Sequence, residues 1–359
     1  MNAPATGTAA KVKTARDFTY IKPKSRRLTE YEALTVHMQP DMQGFDHARG
    51  RIEQPEWYLL RDDGTPLWDP ASTALEVPDW FEWRDPSQHW QRTYVRHQEQ
   101  QEGAIERMTE DAALDGSLAE IDARWIRGVL CDHYRAWSFF EYAVFRSLAP
   151  AQREALSDTL GNALCFQSFD HLRHAQDVIC YLVELEHHSD AVDDAAGKRN
   201  WMENPAYQPS RRLAEEIMGC RDWCELMLGL NLVVAPLLQQ LAVSELVRRA
   251  ALPNRDAVAA HIVLTAERDR RRNLAAAQAL AEFVVAEDNP RADANRACIQ
   301  AWLDDWTARA DGAAVALAPA FDAVPVPAIS HAEALARARA ATAALVTGLG
   351  YSSPLGGDA

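Results

Sequence analysis

The spacing of apolar residues is the feature that most constrains how this chain can fold. From about residue 88 onward, bulky apolar side chains recur every three to four residues, and the alternating pattern that a β-sheet requires does not recur. The segment 121–148 carries a broad helical stripe of this kind, formed by Ile126, Leu130, Trp137 and Phe140. The sequence therefore predicts an almost entirely helical protein.

Proline and capping signals divide this region into long helices. Pro150 is typical of a first helical turn, and the helix that it opens is expected to be roughly 57 Å long. Pro236 should bend the third long helix, because its ring displaces a backbone carbonyl. Ser330 and Glu333 form a capping-box pattern at the start of the last helix. The predicted helices are 121–148, 150–188, 211–251, 255–286, 291–310 and 331–347.

Four long helices in pairs, joined in the middle by one long loop, are typical of a ferritin-like bundle. We therefore predict an all-α fold, a ferritin-like long-helix bundle with an extended N-terminal arm. The predicted organisation is a flexible N-terminus at 1–16, an extended docking arm rich in Trp and Pro at 17–90, a ferritin-like helical domain at 91–350 and a flexible tail at 351–359.

A ferritin-like bundle that binds two iron ions takes one Glu from each of two helices and a Glu-x-x-His pair from each of the other two. Here the first helix offers Glu141 inside an apolar stretch. The second offers His174, but His171 stands where its glutamate should be. The vestigial ligand positions are Glu141, His171, His174, Ala235, Glu267 and Arg270.

These residue types predict a broken site, and we expect no metal and no catalytic residue in this chain. Alanine has no ligand atom, and arginine does not release its proton to bind a metal ion. We hypothesise that the arginine cluster 268–272 supplies the charge that the metal ions would give. Arg270 or Arg272 would then pair with Glu141 or Glu267. The alternative is a solvated basic helix face.

The composition excludes several other classes of protein. The chain has 37 basic and 52 acidic residues, and its net charge of −15 argues against a nucleic-acid-binding protein. We find no run of about 18 uncharged apolar residues, so no membrane-spanning helix is expected. The six cysteines form no Cys-x-x-Cys pair, and the N-terminus has no apolar signal region. We expect a cytoplasmic protein with reduced thiols.

Tryptophan is unusually frequent, with 11 residues, and five of them share one proline-rich stretch at 57–90. Aromatic residues are enriched where a chain lies on a partner. The arm is therefore predicted to dock on another subunit, and the alternative is an intramolecular strap over the bundle. The predicted interface residues are Tyr20, Trp57, Trp80, Trp83, Trp90 and Tyr94.

Three motifs resemble a known family. They are Tyr20-Ile-Lys-Pro-Lys-Ser-Arg-Arg-Leu-Thr-Glu-Tyr-Glu32, then Asp85-Pro86 with Trp90-Gln-Arg-Thr-Tyr-Val-Arg-His-Gln98, and the altered segment from Asp170 to Gln176. With the helical pattern they span residues 17–290. The chain resembles the beta (small) hydroxylase subunit of the soluble diiron monooxygenases, which act on alkanes, alkenes, phenols or toluene.

The resemblance implies a set of partners. In this family the diiron centre and the substrate pocket lie in the catalytic alpha subunit, and the beta subunit is a metal-free scaffold. We expect two alpha–beta pairs, a possible gamma subunit, a coupling protein, and a reductase that carries flavin and iron–sulfur groups and uses NADH. Many relatives have Phe-Glu-Pro-Leu where this chain has Val234-Ala235-Pro236-Leu237.

The expected function is thus a share in the NADH- and O2-dependent hydroxylation of a small hydrocarbon, with propane or another alkane, or an alkene, favoured. One alternative is a self-sufficient ferritin-like diiron oxidase. Others are the beta subunit of a phenol- or toluene-type hydroxylase and an unrelated helical interaction protein.

Overall fold

The computed structural model describes residues 27–37, 45–46, 51–52 and 69–356. The chain divides into two compact units, Met1–Ala71 and Ser72–Ala359. Tyr20 and Trp57, two of the predicted interface residues, lie outside the described residues.

In the first unit, helix α1 spans Glu30–His37, and the short strands β1 (Phe45–Asp46) and β2 (Arg51–Ile52) pair antiparallel. Thr29 and Glu32 cap the start of α1. The Glu32 carboxylate accepts a hydrogen bond from the Thr29 amide at 2.8 Å, and the Thr29 hydroxyl accepts one from the Glu32 amide at 3.2 Å. This reciprocal cap satisfies amides that have no partner within the helix.

The second unit is built of helices, as the apolar periodicity predicts. Two stretches wind as π-helix, π1 (Ile126–Tyr134) and π2 (Leu230–Arg248), and each continues directly into the α-helices on both sides. The α-helices are α2 (Gln91–Leu114), α3 (Ala123–Trp125), α4 (Arg135–Glu154), α5 (Asp158–Glu186), α6 (Asp194–Glu203), α7 (Gln208–Gly219), α8 (Trp223–Gly229), α9 (Arg249–Ala251), α10 (Ala257–Val284), α11 (Ala292–Ala316), α12 (Ala318–Asp322) and α13 (His331–Gly348).

Pro150 does not open a helix, so that part of the prediction is wrong. It lies inside α4, which continues to Glu154, although a proline there removes the backbone hydrogen bond to the carbonyl of Arg146. The next helix, α5, starts at Asp158, where the Ser157 hydroxyl accepts from the Leu160 amide at 3.3 Å. Serine caps of this kind fix the first turn of a helix.

The third predicted helix is two helices. The backbone is extended at Cys220 after α7, and the Asp222 carboxylate then accepts from the amides of Cys224 and Glu225 at 2.9 and 3.1 Å to start α8. Pro236 lies inside π2, where the backbone hydrogen bonds already follow a shifted register. The capping box at Ser330 and Glu333 is confirmed.

The core is a bundle of long helices. α4 packs along α5, α5 along α10 and α10 along π2, and α11 and α13 also pack against π2. The side chains of Trp125, Trp137 and Phe140 are fully buried. Burial of apolar surface on this scale is the main source of stability. The all-α prediction is confirmed for the described residues, in which β1 and β2 are minor.

One continuous helix, Trp223–Asn254, is long and apolar enough to cross a membrane by length and composition. Of its apolar window, 83 % is buried inside the protein. Burial among neighbouring helices explains this composition, because an all-round apolar helix is typical of the core of a large bundle.

Gly229→Ala should weaken the core. A Cβ atom on Gly229 would lie 2.6 Å from Cδ1 of Trp306, whose ring is buried. We expect a loss of about 2 kcal/mol in the free energy of unfolding, measured by urea denaturation. The control Gly312→Ala has no atom within 4 Å of the new Cβ and should stabilise α11 slightly. Equal stability of the two variants would contradict this packing.

Candidate functional site

Glu141 is the central residue of the bundle interior. It lies on α4, is 1 % exposed, and accepts a hydrogen bond from Nε1 of Trp137 at 3.0 Å. Nε2 of Gln239 donates to both carboxylate oxygens, at 3.3 and 3.4 Å. A buried carboxylate is costly unless its oxygens are paired. Glu141 therefore depends on the groups around it.

The two histidines of α5 complete this environment. Nδ1 of His171 lies 2.5 Å from one Glu141 oxygen, and Nδ1 of His174 lies 3.3 Å from the other. The hydroxyl of Tyr134 lies 2.9 Å from Nε2 of His174. Both ring nitrogens of His174 are thus engaged by protein groups. The cluster of Tyr134, His174, Glu141 and His171 is called the central network below.

The electrostatics keep this carboxylate charged. Burial opposes the ionisation of Glu141, but His174 and His171 hold its pKa well below the usual range. Burial also lowers the pKa of His174, and Glu141 counteracts only part of that shift. The two imidazoles therefore face the charged carboxylate of Glu141, one at each oxygen.

Neither of the predicted positions Ala235 and Glu267 is hydrogen-bonded to Glu141. Ala235 is partly exposed, and Gln239, one turn later on π2, occupies the core position beside Glu141. Glu267 of α10 faces Arg248, with Oε1 and Nε 2.6 Å apart. The sequence pattern did not single out Gln239, although an uncharged polar residue within an apolar run is a usable signal.

Arg270 points inward, but it does not pair with a carboxylate as predicted. Its NH2 nitrogen donates to the Ser244 hydroxyl at 3.0 Å, and its NH1 nitrogen is closed to solvent and has no hydrogen-bond partner among the described residues. Burial lowers the pKa of Arg270, while Glu141 and Glu267 act in the opposite direction. The predicted ion pair is wrong, because the two histidines already occupy the Glu141 oxygens.

The other inward arginine belongs to a second cluster, which the sequence analysis missed. Arg272 pairs with Asp170 and, at 3.3 Å, with Asp269, and Arg173 pairs with Asp269 as well. Asp177 adds a further carboxylate, 3.0 Å from Arg173. Each of these arginines therefore serves two carboxylates.

Neutral groups complete this second cluster. The Tyr94 hydroxyl donates to Asp170 at 3.0 Å, and Asn273 donates to the same residue at 2.9 Å. Gln98 donates to Asp269 at 3.1 Å and to Asp170 at 3.3 Å. The cluster thus fastens α2 to α5 and α10. The alternative prediction was a solvated basic helix face. Within the cluster 268–272 it is correct only for Arg268 and Arg271, whose side chains are exposed.

The donor set does not fit a pair of iron ions. In the part of the chain that the structure describes, no group of three or more His, Cys, Asp or Glu side chains is arranged to hold a metal ion. Iron(II) needs deprotonated carboxylates or free imidazole nitrogens from the protein. Glu141 and His174 contact each other and further protein groups. Arg270 is a permanent cation.

The predicted interface residues fall into two groups. Trp83 is 2 % exposed and Tyr94 is 5 % exposed, so both are buried inside this chain. Trp80 and Trp90 are partly exposed, and Trp80 also packs edge-on against Trp223 with ring centroids 5.2 Å apart. The prediction for Trp83 and Tyr94 is therefore corrected. Both side chains belong to the core of this chain, because little of their surface is exposed to a partner.

Comparison with known proteins identifies the family. Residues 57–288, well over half of the chain, match the family described as Methane/Phenol/Alkene Hydroxylase, and the chain belongs to it. The small subunit of the hydroxylase component of propane 2-monooxygenase from Mycolicibacterium goodii is 28 % identical over 347 residues, which cover 95 % of this chain and 90 % of that protein. The prediction of resemblance to a beta hydroxylase subunit is confirmed.

A further relative and a solved structure are also similar to this chain. The beta chain of methane monooxygenase component A from Methylosinus trichosporium is 27 % identical over 300 residues, covering 82 % of this chain and 75 % of that protein. The phenol hydroxylase structure from Pseudomonas sp. OX1 superposes with a TM-score of 0.73 at 21 % identity, covering 91 % of this chain and 92 % of that chain. The predicted bundle fold is thereby confirmed.

Glu141→Ala should destabilise the protein by about 3 kcal/mol, because it leaves buried donors on Trp137, Gln239 and His171 without an acceptor. The free energy of unfolding is measured by urea denaturation at pH 7.5. The control Glu215→Ala removes an exposed partner of Arg211 and should cost less than about 1 kcal/mol. A small effect at Glu141 would contradict the central network.

Buried His133 should make stability depend on pH. Burial lowers its pKa to about 4, although its hydrogen bond to the Ala242 carbonyl raises it. The unfolded chain, with a histidine pKa near 6.5, binds more protons, so stability is lost as pH falls from about 6.5 to 4. We expect the free energy of unfolding of the parent protein to fall by about 2 kcal/mol more between pH 7 and 5 than that of His133→Gln. Parallel pH profiles would contradict this.

Proposed function

We propose that this chain is the metal-free scaffold of the hydroxylase component of a multicomponent monooxygenase, and that the diiron centre lies in a catalytic alpha subunit. The observation that carries the proposal is the central network, in which two histidines hold the Glu141 carboxylate. The carboxylate that a ferritin-like site would use for metal is occupied by protein donors. No catalytic step is assigned to residues of this chain.

The second cluster supports the same role. Arg173 and Arg272 replace mobile metal ions with fixed positive charges, and they join α2, α5 and α10 through Asp170 and Asp269. Buried networks of paired charges that join several helices favour one arrangement of those helices. A rigid bundle of this kind suits a subunit that aligns a catalytic partner.

The assembled enzyme is proposed to be a cytoplasmic complex of two alpha–beta pairs, with a coupling protein, a reductase and in some forms a gamma subunit. The reductase would carry flavin and iron–sulfur groups and take electrons from NADH. The partly exposed Trp80 and Trp90 are proposed to contact the alpha subunit. Propane or a similar small alkane is the favoured substrate, because several relatives are propane 2-monooxygenase small subunits.

The test is reconstitution of the hydroxylase from separately purified subunits. With the reductase and the coupling protein, NADH-dependent propane oxidation should require both this chain and the alpha subunit. The alpha subunit alone should show at least tenfold lower activity. Activity of this chain without the alpha subunit would support the self-sufficient oxidase, and a preference for phenol or toluene would support the aromatic hydroxylase type.

Trp90→Ala should lower the yield of the purified alpha–beta complex at least tenfold, because it removes an aromatic contact from the proposed interface. The control Trp302→Ala alters another partly exposed tryptophan, on α11. The yield of complex is measured by size-exclusion chromatography after mixing purified subunits. Unchanged assembly of the Trp90 variant would exclude the contact.

A further inference from the structure

A groove between α2 and α5 has no role in the central network. Its α2 wall carries Glu102, Glu106 and Glu110, one helical turn apart along one face. Like charges four residues apart destabilise a helix by a few tenths of a kcal/mol per pair, so this row is unfavourable for α2 alone. Its cost would be offset by positive charge from outside the helix.

The opposite wall adds further negative charge. Asp177 and Glu184 of α5 also line the groove, and the only basic residue among its described lining residues, Arg173, is already paired with Asp177 and Asp269. Burial, together with the acidic neighbours Glu102, Asp269 and Glu106, raises the pKa of Asp177 to about 7, although Arg173 opposes this shift. The lining therefore has an excess of negative charge that the described lining residues do not neutralise.

The groove also offers uncharged and apolar surface. Gln176 and Cys180 are exposed along α5, and Ile179 is partly exposed between them. Leu114, at the end of α2, keeps 86 % of its surface exposed. An apolar strip bordered by carboxylates is complementary to a helix with apolar residues on one face and basic residues beside them.

We propose that this groove, called the α2–α5 groove, binds a cationic amphipathic helix of another protein subunit. Apolar side chains of that helix would cover Ile179 and Leu114, and its basic side chains would pair with the glutamate row. The proposal goes beyond the scaffold role and takes from it only that the occupant belongs to a partner subunit. An acidic surface repels anionic membranes and nucleic acids, which leaves a basic polypeptide as the complementary occupant.

Cys180 allows a test inside the groove with the isolated full-length chain. The probe is a synthetic 18-residue peptide of Leu and Lys, with Leu at helical spacing, and its scrambled version keeps the composition without the helical pattern. Alkylation of Cys180 by N-ethylmaleimide is followed by peptide mass spectrometry with and without saturating probe, and Cys298, which lies outside the groove lining, is the internal reference.

The probe should slow alkylation of Cys180 at least fivefold and leave Cys298 unchanged, and the scrambled peptide should protect less than twofold. In Glu102→Gln/Glu106→Gln/Glu110→Gln the protection should disappear. The control Glu282→Gln/Glu287→Gln/Asp288→Asn removes the same charge from exposed positions elsewhere and should keep the protection.

Equal protection by the scrambled peptide, or protection that survives loss of the glutamate row, would overturn the proposal. Binding of the probe without protection of Cys180 would overturn it as well. Because the experiment needs no catalytic subunit, its failure would leave the proposed scaffold function standing. Conversely, failure of the reconstitution would not remove protection at Cys180.

Discussion

The buried carboxylate of Glu141 is the constraint on which the interior of this protein depends. A charge at the centre of a four-helix bundle requires partners from several helices, and here they come from α4, α5 and π2. His171 and His174 each face one oxygen of this carboxylate, and Tyr134 holds the ring of His174 from its other nitrogen. The helices that meet at this point are therefore joined by hydrogen bonds.

The buried positive charges of the bundle lie outside the central network. The second cluster pairs Arg173 and Arg272 with Asp269 and Asp170, while one nitrogen of Arg270 has no hydrogen-bond partner among the described residues. Positive charge is thus built into the bundle permanently, and it does not depend on metal supply. Such an arrangement favours a constant shape, which suits a subunit whose proposed task is to hold another in place.

The sequence was sufficient for the helical fold, which depends on the local spacing of apolar residues, and for the family, which was identified from the resemblance of its motifs. Pairings across helices were harder to predict. His171 was expected only as a missing ligand, whereas it is the closest partner of Glu141. The partner of Arg272 was misassigned because helix rotation decides which carboxylate it meets. Trp83 shows the same limit, since aromatic density does not distinguish a buried ring from an exposed one.

The most direct test of this account is the iron content of the isolated chain. The chain is purified without its partners, incubated anaerobically with excess iron(II), desalted, and analysed for metal by mass spectrometry. Because His171 and His174 already contact the Glu141 carboxylate, we expect less than about 0.1 iron per chain. Two tightly bound iron ions per chain would contradict it and would make this subunit a metalloprotein in its own right.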